Sequence, residues 1–381
     1  MTLLTIDEEV LTVEGSYWTA REIVQQPDVW IQADLDIARD RPRIADWLYA
    51  KLADPALRIV LTGAGSSAYV GRTLAPSLTR TLRRRVDAVS TTALVAQPEA
   101  YLAEDVPTLL ISFGRSGDSP ESVAAVELAD CLLTTCHHMV LTCNPRGALA
   151  SHAATHRDAL SLLMPERTND RSFAMTSSFT AMLVAVAAVF APAPEPLARA
   201  VAMAGFAKSD LALRAAALAS ADWQRLVVLG AGCLFATAQE ACLKCLELTD
   251  GRVATLAETP LGFRHGPKAV VGADTAVVVL CSVDGHTARY DSDLVAELRA
   301  ENAAGQILAL DPATFADEPT GLDDFWMSLP YLVFCQMLAF FKARALGVAA
   351  DNPCPSGAVN RVVEGVTIHP YPAWARDGLR H

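Results

Sequence analysis

Apolar residues along the first half of the chain come in short, punctuated runs. Arg58–Thr62, Thr108–Ser112 and His138–Thr142 are each rich in Ile, Leu or Val and each is closely followed by Gly, Asn or Ser. That pattern predicts buried strands. Between and after them, Ser67–Thr81, Pro120–Cys131 and Phe179–Phe190 carry apolar residues at helical spacing. Strand alternating with helix predicts an α/β fold with a parallel sheet covered on both faces.

The second half repeats this order. "RIVLTGAGSSA" begins at Arg58 and "RLVVLGAGCLFA" at Arg225, an offset of 167 (225 − 58). "LLISFGRSGDS" begins at Leu109 and "VVVLCSVDGHT" at Val277, an offset of 168 (277 − 109). Two strand-loop matches at nearly one spacing predict two copies of one domain. "APAPEPLARA" (Ala191–Ala200), with three prolines, reads as the linker between them. The expected segments are an N-terminal helical stretch at 1–40, a first domain at 41–195, a second at 200–346 and an extended C-terminal strap at 347–381.

Composition narrows the class. Of 381 residues, 52% are hydrophobic and 19% charged, which suits a filled core and excludes disorder. The formal net charge of −12 argues against nucleic acid or an anionic membrane as partner, yet leaves room for a small anion in a local pocket. The start "MTLLTIDEEV" lacks the basic-then-apolar order of a signal peptide, and the apolar run Ala181–Pro192 is too short to span a bilayer. A cytoplasmic location is expected. Nine cysteines lie mostly in apolar segments, as reduced, buried thiols do. Cys242 and Cys245 form a C-x-x-C without a second pair at zinc-finger spacing, so helix packing is the expected role and no metal is expected.

The two copies differ where chemistry would sit. Copy one has Ser66 and Ser67 after its first strand, where copy two has Cys233 and Leu234. In the other loop Gly117 lines up with Gly285 and Ser119 with Thr287, while Arg115–Ser116 becomes Val283–Asp284. Turn chemistry alone predicts similar loops in both copies; hydroxyls concentrated in one copy point to a ligand there. At the carboxyl ends of parallel strands, backbone N–H groups at helix starts favour an anion, and glycines let it approach closely. "GAGSSAYVG" and "GRSGDSPES" would then cradle a phosphate through Ser66, Ser67, Arg115, Ser116 and Ser119. The competing account is that these serines cap helices. Neither a Walker A sequence nor a GxGxxG fingerprint is present, so a nucleotide is not expected.

A second signal lies in "CLFATAQEACLKCLELTDG" (Cys233–Gly251). Leu234, Ala238, Ala241, Cys245 and Leu248 form an apolar stripe, and Glu240, Lys244 and Glu247 fall at i, i+4 and i+7 on another face. From spacing alone a surface ladder worth a few tenths of a kcal/mol per pair is the simpler account. The alternative is a general base, Glu247, beside a cation, Lys244, in a half-buried site. The following loop "AETPLGFRHGPKAVV" carries His265 beside a Gly-Pro turn, an acid–base candidate because imidazole titrates near neutrality. The other histidines, His137 and His138 among them, lack a catalytic partner nearby in sequence and are expected to be structural.

Taken in order, "GAGSSAYVG", "SFGRSGDS", "CLKCLE" and "RHGPKAV" resemble the tandem sugar-isomerase (SIS) domain proteins over nearly the whole chain. "FGRSGDSPES", "ERTNDRSFAMTSSFT" and "DNPCPSGAVNRVV" resemble the AgaS-like subgroup, described as galactosamine-6-phosphate deaminase/isomerases or tagatose-6-phosphate ketose/aldose isomerases. The resemblance implies two SIS domains of flavodoxin-like topology, with a sugar phosphate held by Ser67, Ser116 and Ser119. It also implies that Glu247 shuttles a proton between C1 and C2, and that His265 assists ring opening, supplied by the neighbouring subunit of a homodimer. No cofactor or metal is implied. Better-known relatives carry a Schiff-base lysine near the C-terminus; here Glu364 stands there and no lysine follows Lys342. No amide-transfer domain to supply ammonia is expected either, so deamination is the expected direction. Simple aldose–ketose isomerisation of an unaminated sugar phosphate, and non-enzymatic sensing of one, are the alternatives.

Overall fold

The structure is a computed structural model and describes residues 2–206, 210–316 and 320–371. A short antiparallel hairpin, β1 (Thr2–Leu3) and β2 (Ile6–Asp7), opens the chain. Two parallel sheets follow. The first contains β3 (Arg58–Thr62), β4 (Val86–Ala88), β5 (Thr108–Gly114), β6 (Cys136–Thr142) and β7 (Ala159–Leu163), in the spatial order β4-β3-β5-β6-β7. The second contains β8 (Arg225–Leu229), β9 (Ala254–Glu258), β10 (Thr275–Leu280) and β11 (Gln306–Leu310), in the order β11-β10-β8-β9. Numbered within each copy, these orders are 2-1-3-4-5 and 2-1-3-4, the flavodoxin-like arrangement. All the pairings within both sheets are parallel.

The duplication extends to register. Arg58 pairs with Thr108 and Arg225 with Thr275, so both strands of the pair shift by 167. The helices after the second loops begin at Pro120 and Thr287, again 167 apart (287 − 120). The expected second offset of 168 is therefore corrected to 167. Arg115 and Ser116 correspond to Ser282 and Val283, and Gly117 corresponds to Asp284. Each central strand buries both faces, which is why it reads as a continuous apolar run. Val60, Leu110 and Val140 pack with Leu94, Ala125, Val126 and Leu149 in the first sheet's core. Val227 and Val277, at the same offset, pack with Phe263, Leu294 and Leu298 in the second.

The described residues form two compact units. One comprises 32–169, 181–192 and the tail from 359, and holds the first sheet; the other comprises the N-terminus to 31, 170–180 and 193–358, and holds the second. The expected boundary at 40 falls inside a single helix, Gln26–Ala53, and the proline-rich stretch taken for a linker starts another helix, Pro194–Phe206. Pro194 and Pro196 sit in its first turn, where a missing N–H costs nothing. The edge strands β4, β7, β9 and β11 escape notice in the sequence because they are short or half-exposed. Asp324–Ala345 is one helix long and apolar enough to cross a membrane. It is instead almost entirely buried, packed by the Pro194–Phe206, Asp210–Ala219 and Cys233–Leu248 helices. From Leu346 to Tyr371 the chain has turns but no helix or strand, and the strap's residues 372–381 lie outside the described residues.

Candidate active site

In the first sheet the chain reverses its winding direction between β3 and β5, the place where open α/β sheets bind ligands beyond the strand ends. Thr62 pairs with Ser112, so the loops leaving these strands start side by side. The first loop turns through Gly65, whose φ of +55° suits glycine and places it at the N-cap of the Ser66–Leu82 helix. Gly63 must also be glycine: a Cβ there would lie 2.6 Å from the Ser67 backbone. Ser66 and Ser67 are the first two helical residues, both buried, and so neither is the cap.

The second loop runs Arg115–Ser119. Gly117, with φ of +68°, lies against Thr142, and a Cβ there would come within 3.1 Å of the Thr142 hydroxyl. Ser116 is half-buried; its hydroxyl accepts from the Asp118 N–H (3.2 Å) and its carbonyl from the Asn144 amide (2.9 Å). Asp118 in turn accepts from the Ala148 N–H at 2.8 Å. Asn144 and Asp118, unmarked in the sequence, thus fix the serine loop onto the next helix. Ser119 occupies the N-cap of the Pro120–Leu132 helix, yet its hydroxyl makes no cap bond and donates to Ser122 at 2.6 Å. Capping therefore does not account for Ser66, Ser67 or Ser119. Arg115 is buried and donates to the Arg361 carbonyl at 2.7 Å, tying down the C-terminal tail.

The second copy keeps the turn and differs in its second loop. Gly232 has φ, ψ of 58°, −127°, against 55°, −128° at Gly65. Its second loop is filled by carboxylates: the Ser282 N–H donates to Asp291 (2.8 Å), while the Ser282 hydroxyl and the Val283 N–H both donate to Asp324 (2.7 Å). Burial holds Asp291 and Asp324 above the usual carboxylate range. Donors already taken by acids offer nothing to a phosphate.

The Cys233–Leu248 helix corrects the surface-ladder account. Glu240 and Lys244 have side chains 0% and 1% exposed, and Glu247 is 23% exposed. The Lys244 ammonium lies 3.4 Å from Glu240 and hydrogen-bonds Glu247. One buried cation thus serves two carboxylates, and only the outer one, Glu247, reaches solvent. Such a carboxylate is placed to take and return a proton while the lysine balances charge.

The SIS domain model matches residues 51–192. A Shewanella protein named D-galactosamine-6-phosphate deaminase AgaS is 46% identical, covering 97% of this chain and 96% of its own length. An Escherichia coli protein of the same name is 41% identical over 93% of this chain and 96% of its own. The crystal structure of tagatose-6-phosphate ketose/aldose isomerase from Escherichia coli superposes with a TM-score of 0.83 at 39% identity, covering 93% of this chain and 97% of that one. The chain belongs to the AgaS family of SIS-domain proteins.

The stretches that carried the AgaS resemblance have structural causes. In "ERTNDRSFAMTSSFT", Asp170 is fully buried and accepts from the N–H groups of Thr176 and Ser178, both at 2.9 Å, and from two serine hydroxyls. Glu22, also buried, accepts from the backbone N–H groups of Arg171 and Ser172. Burial, reinforced by Asp170, pushes the Glu22 carboxyl up to about 7. In "DNPCPSG", Asp351 accepts from the Trp18 and Thr19 N–H groups (3.0 and 2.7 Å), capping the Tyr17–Val24 helix. His265 is exposed on the loop between the short Pro260–Phe263 helix and the Pro267–Val270 turn. Its neighbours Arg264 (2.8 Å) and Lys268 are both anchored on Glu297, which fixes the loop around it. Cys242 and Cys245 are fully buried, and burial pushes the Cys242 thiol up to about 12, as packing rather than reactive cysteines require.

Proposed function

We propose that this protein is an amino-sugar-phosphate deaminase/isomerase, converting galactosamine-6-phosphate to a ketose 6-phosphate and ammonia. The observation carrying the proposal is Lys244, buried against Glu240 with Glu247 at its outer side, in a chain 46% identical to a D-galactosamine-6-phosphate deaminase. Ser66, Ser67, Ser116 and Ser119, with the backbone N–H groups of their loops, hold the phosphate and fix the sugar without touching C1 or C2. Arg115 is reassigned to positioning the loop through the Arg361 carbonyl.

His265 moves the ring-oxygen and anomeric protons that open the pyranose, serving the neighbouring subunit of a homodimer in the cytoplasm. Its exposure supports that role. Glu247 removes the C2 proton, giving an enolamine, and returns it to C1, leaving a ketimine at C2. Lys244 balances the negative charge that develops on oxygen. Water adds at C2, the C–N bond breaks with nitrogen taking the electron pair, and ammonium leaves. On an unaminated sugar the same transfer stops at the ketose, which is isomerisation.

The test is ammonium release from galactosamine-6-phosphate, with glucosamine-6-phosphate as the C4 comparison. Glu247→Gln should lose turnover by about 10²–10⁴-fold, as general-base removal does, while inorganic phosphate still binds. A variant with near wild-type turnover overturns the assignment of Glu247. A wild-type protein that isomerises sugar phosphates without releasing ammonium overturns the deaminase reading.

A further inference from the structure

We propose that Asp130, His138, His152 and His156 form a binding site for one divalent transition-metal ion of the zinc class, at the end of the first sheet opposite the serine loops. Asp130 lies in the last turn of the Pro120–Leu132 helix, and His138 is the third residue of β6. His152 lies in the last turn of the Ala148–Thr155 helix and His156 directly follows it. At a spacing of four, the last two present their rings on one face. Topology thus brings three imidazoles to one carboxylate. The Nε2 atom of His138 lies 2.7 Å from Asp130, and those of His152 and His156 lie 3.4 Å from it. Donor atoms of Asp130, His138 and His156 all fall within 4.8 Å of one another.

Tetrahedral zinc with bonds of about 2.0–2.1 Å sets neighbouring ligand atoms about 3.3 Å apart, so the donor atoms of Asp130, His138 and His156, within 4.8 Å of one another, need to close by no more than about 1.5 Å, and His152, 3.4 Å from Asp130, is the fourth donor. Three imidazoles and one carboxylate are donors of the borderline kind that zinc prefers over calcium or magnesium. His138 is fully buried and fixes the inner end; the side chains of His152, His156 and Asp130 are 20%, 19% and 29% exposed, leaving an entry path. The buried Nε2 of His152 has no hydrogen-bond partner among the described residues.

Ligation through His156 exchanges its Nδ1 contact with the Asp158 N–H (3.2 Å) for a proton on that nitrogen. The neighbouring His137 is separate, bonded to Asp158 at 2.6 Å. Thr142, at the other end of β6, faces the serine loop, four residues or about 13 Å from His138. The ion therefore acts on structure, joining two helices and a strand of the first sheet, and takes no part in the sugar chemistry.

The experiment strips the full chain with a chelator and titrates it with zinc chloride by calorimetry, then repeats the titration on the His152→Ala/His156→Ala double variant. One equivalent bound in the wild type, weakened at least a hundredfold in the double variant, is expected. Should the double variant fail to fold, cobalt(II) added to wild type and to Asp130→Asn decides instead. The intense visible absorption of tetrahedral cobalt should appear in the wild type and shift or vanish in the variant. Wild-type protein that takes up no zinc, or binding and spectra unchanged in the variants, overturns the site.

Discussion

Replacing Lys244 by methionine tests the account of the buried triad most directly. The substitution keeps the length of the side chain but removes the cation 3.4 Å from Glu240, a carboxylate that is 0% exposed. At an effective dielectric of about 20, an ion pair at that separation is worth about 5 kcal/mol. The folded variant can instead protonate Glu240, and at pH 8 protonating a carboxyl of ordinary pKa near 4.3 costs about 5 kcal/mol. Both routes put the loss at about 5 kcal/mol at pH 8, the upper end of the range for breaking buried pairs.

The two routes separate with pH. In the variant the folded Glu240 has its pKa raised, so the folded state binds more protons than the unfolded one, and the defect grows with rising pH. Its cost should fall by about 1.4 kcal/mol per pH unit on acidification, and the Lys244→Met/Glu240→Gln double variant should recover most of it. Scanning calorimetry at pH 6 and pH 8 measures this and resolves which of the two compact units loses stability. A surface ladder predicts a loss of only a few tenths of a kcal/mol. A loss under about 1 kcal/mol at pH 8, a pH-independent loss, or a double variant no better than the single would refute the reasoning.

Ser67→Ala and Ser116→Ala should each raise KM for galactosamine-6-phosphate tenfold or more, since a hydrogen bond to a charged group is worth about 1.5–3 kcal/mol. The inhibition constant of inorganic phosphate should rise in parallel; unchanged phosphate inhibition would move the anion elsewhere. Glu22 supplies a pH-dependent prediction. Its folded pKa is raised to about 7 from 4.5, so its contribution to stability is full below pH 4.5 and is lost as pH climbs through 7. Glu22→Gln should flatten the fall in melting temperature between pH 5 and pH 7, and parallel profiles for variant and wild type would show that Glu22 does not titrate there.

How much of this was legible beforehand follows from which residues carry their own signal. β3, β5 and β6 are buried on both faces, so they read as apolar runs; β4 has three residues, and β9 is exposed or half-exposed throughout. The duplication showed as repeated glycines, since Gly65 and Gly232 adopt one backbone conformation that few other residues tolerate. Its second offset was one residue long because VVVL matches LLIS by hydrophobicity in more than one register, and only strand pairing chooses between them. The serines of the first copy were visible as residue types; the reason their counterparts differ was not. Asp324, which takes the donors of Ser282 and Val283, lies 42 residues beyond Ser282 and marks no motif. The same holds for Glu240: spacing put it on a helix face with Lys244, but an i, i+4 pair looks identical on a wet face and in a core. What separates them is whether other elements cover the helix, as the long Asp324–Ala345 helix and β9 pack on it here, and local sequence cannot reveal that. His138 and Asp130, eight residues apart on a strand and a helix, meet for the same reason. Local pattern fixes which elements form, and chemistry that depends on two elements meeting becomes readable only once the sheet has ordered them.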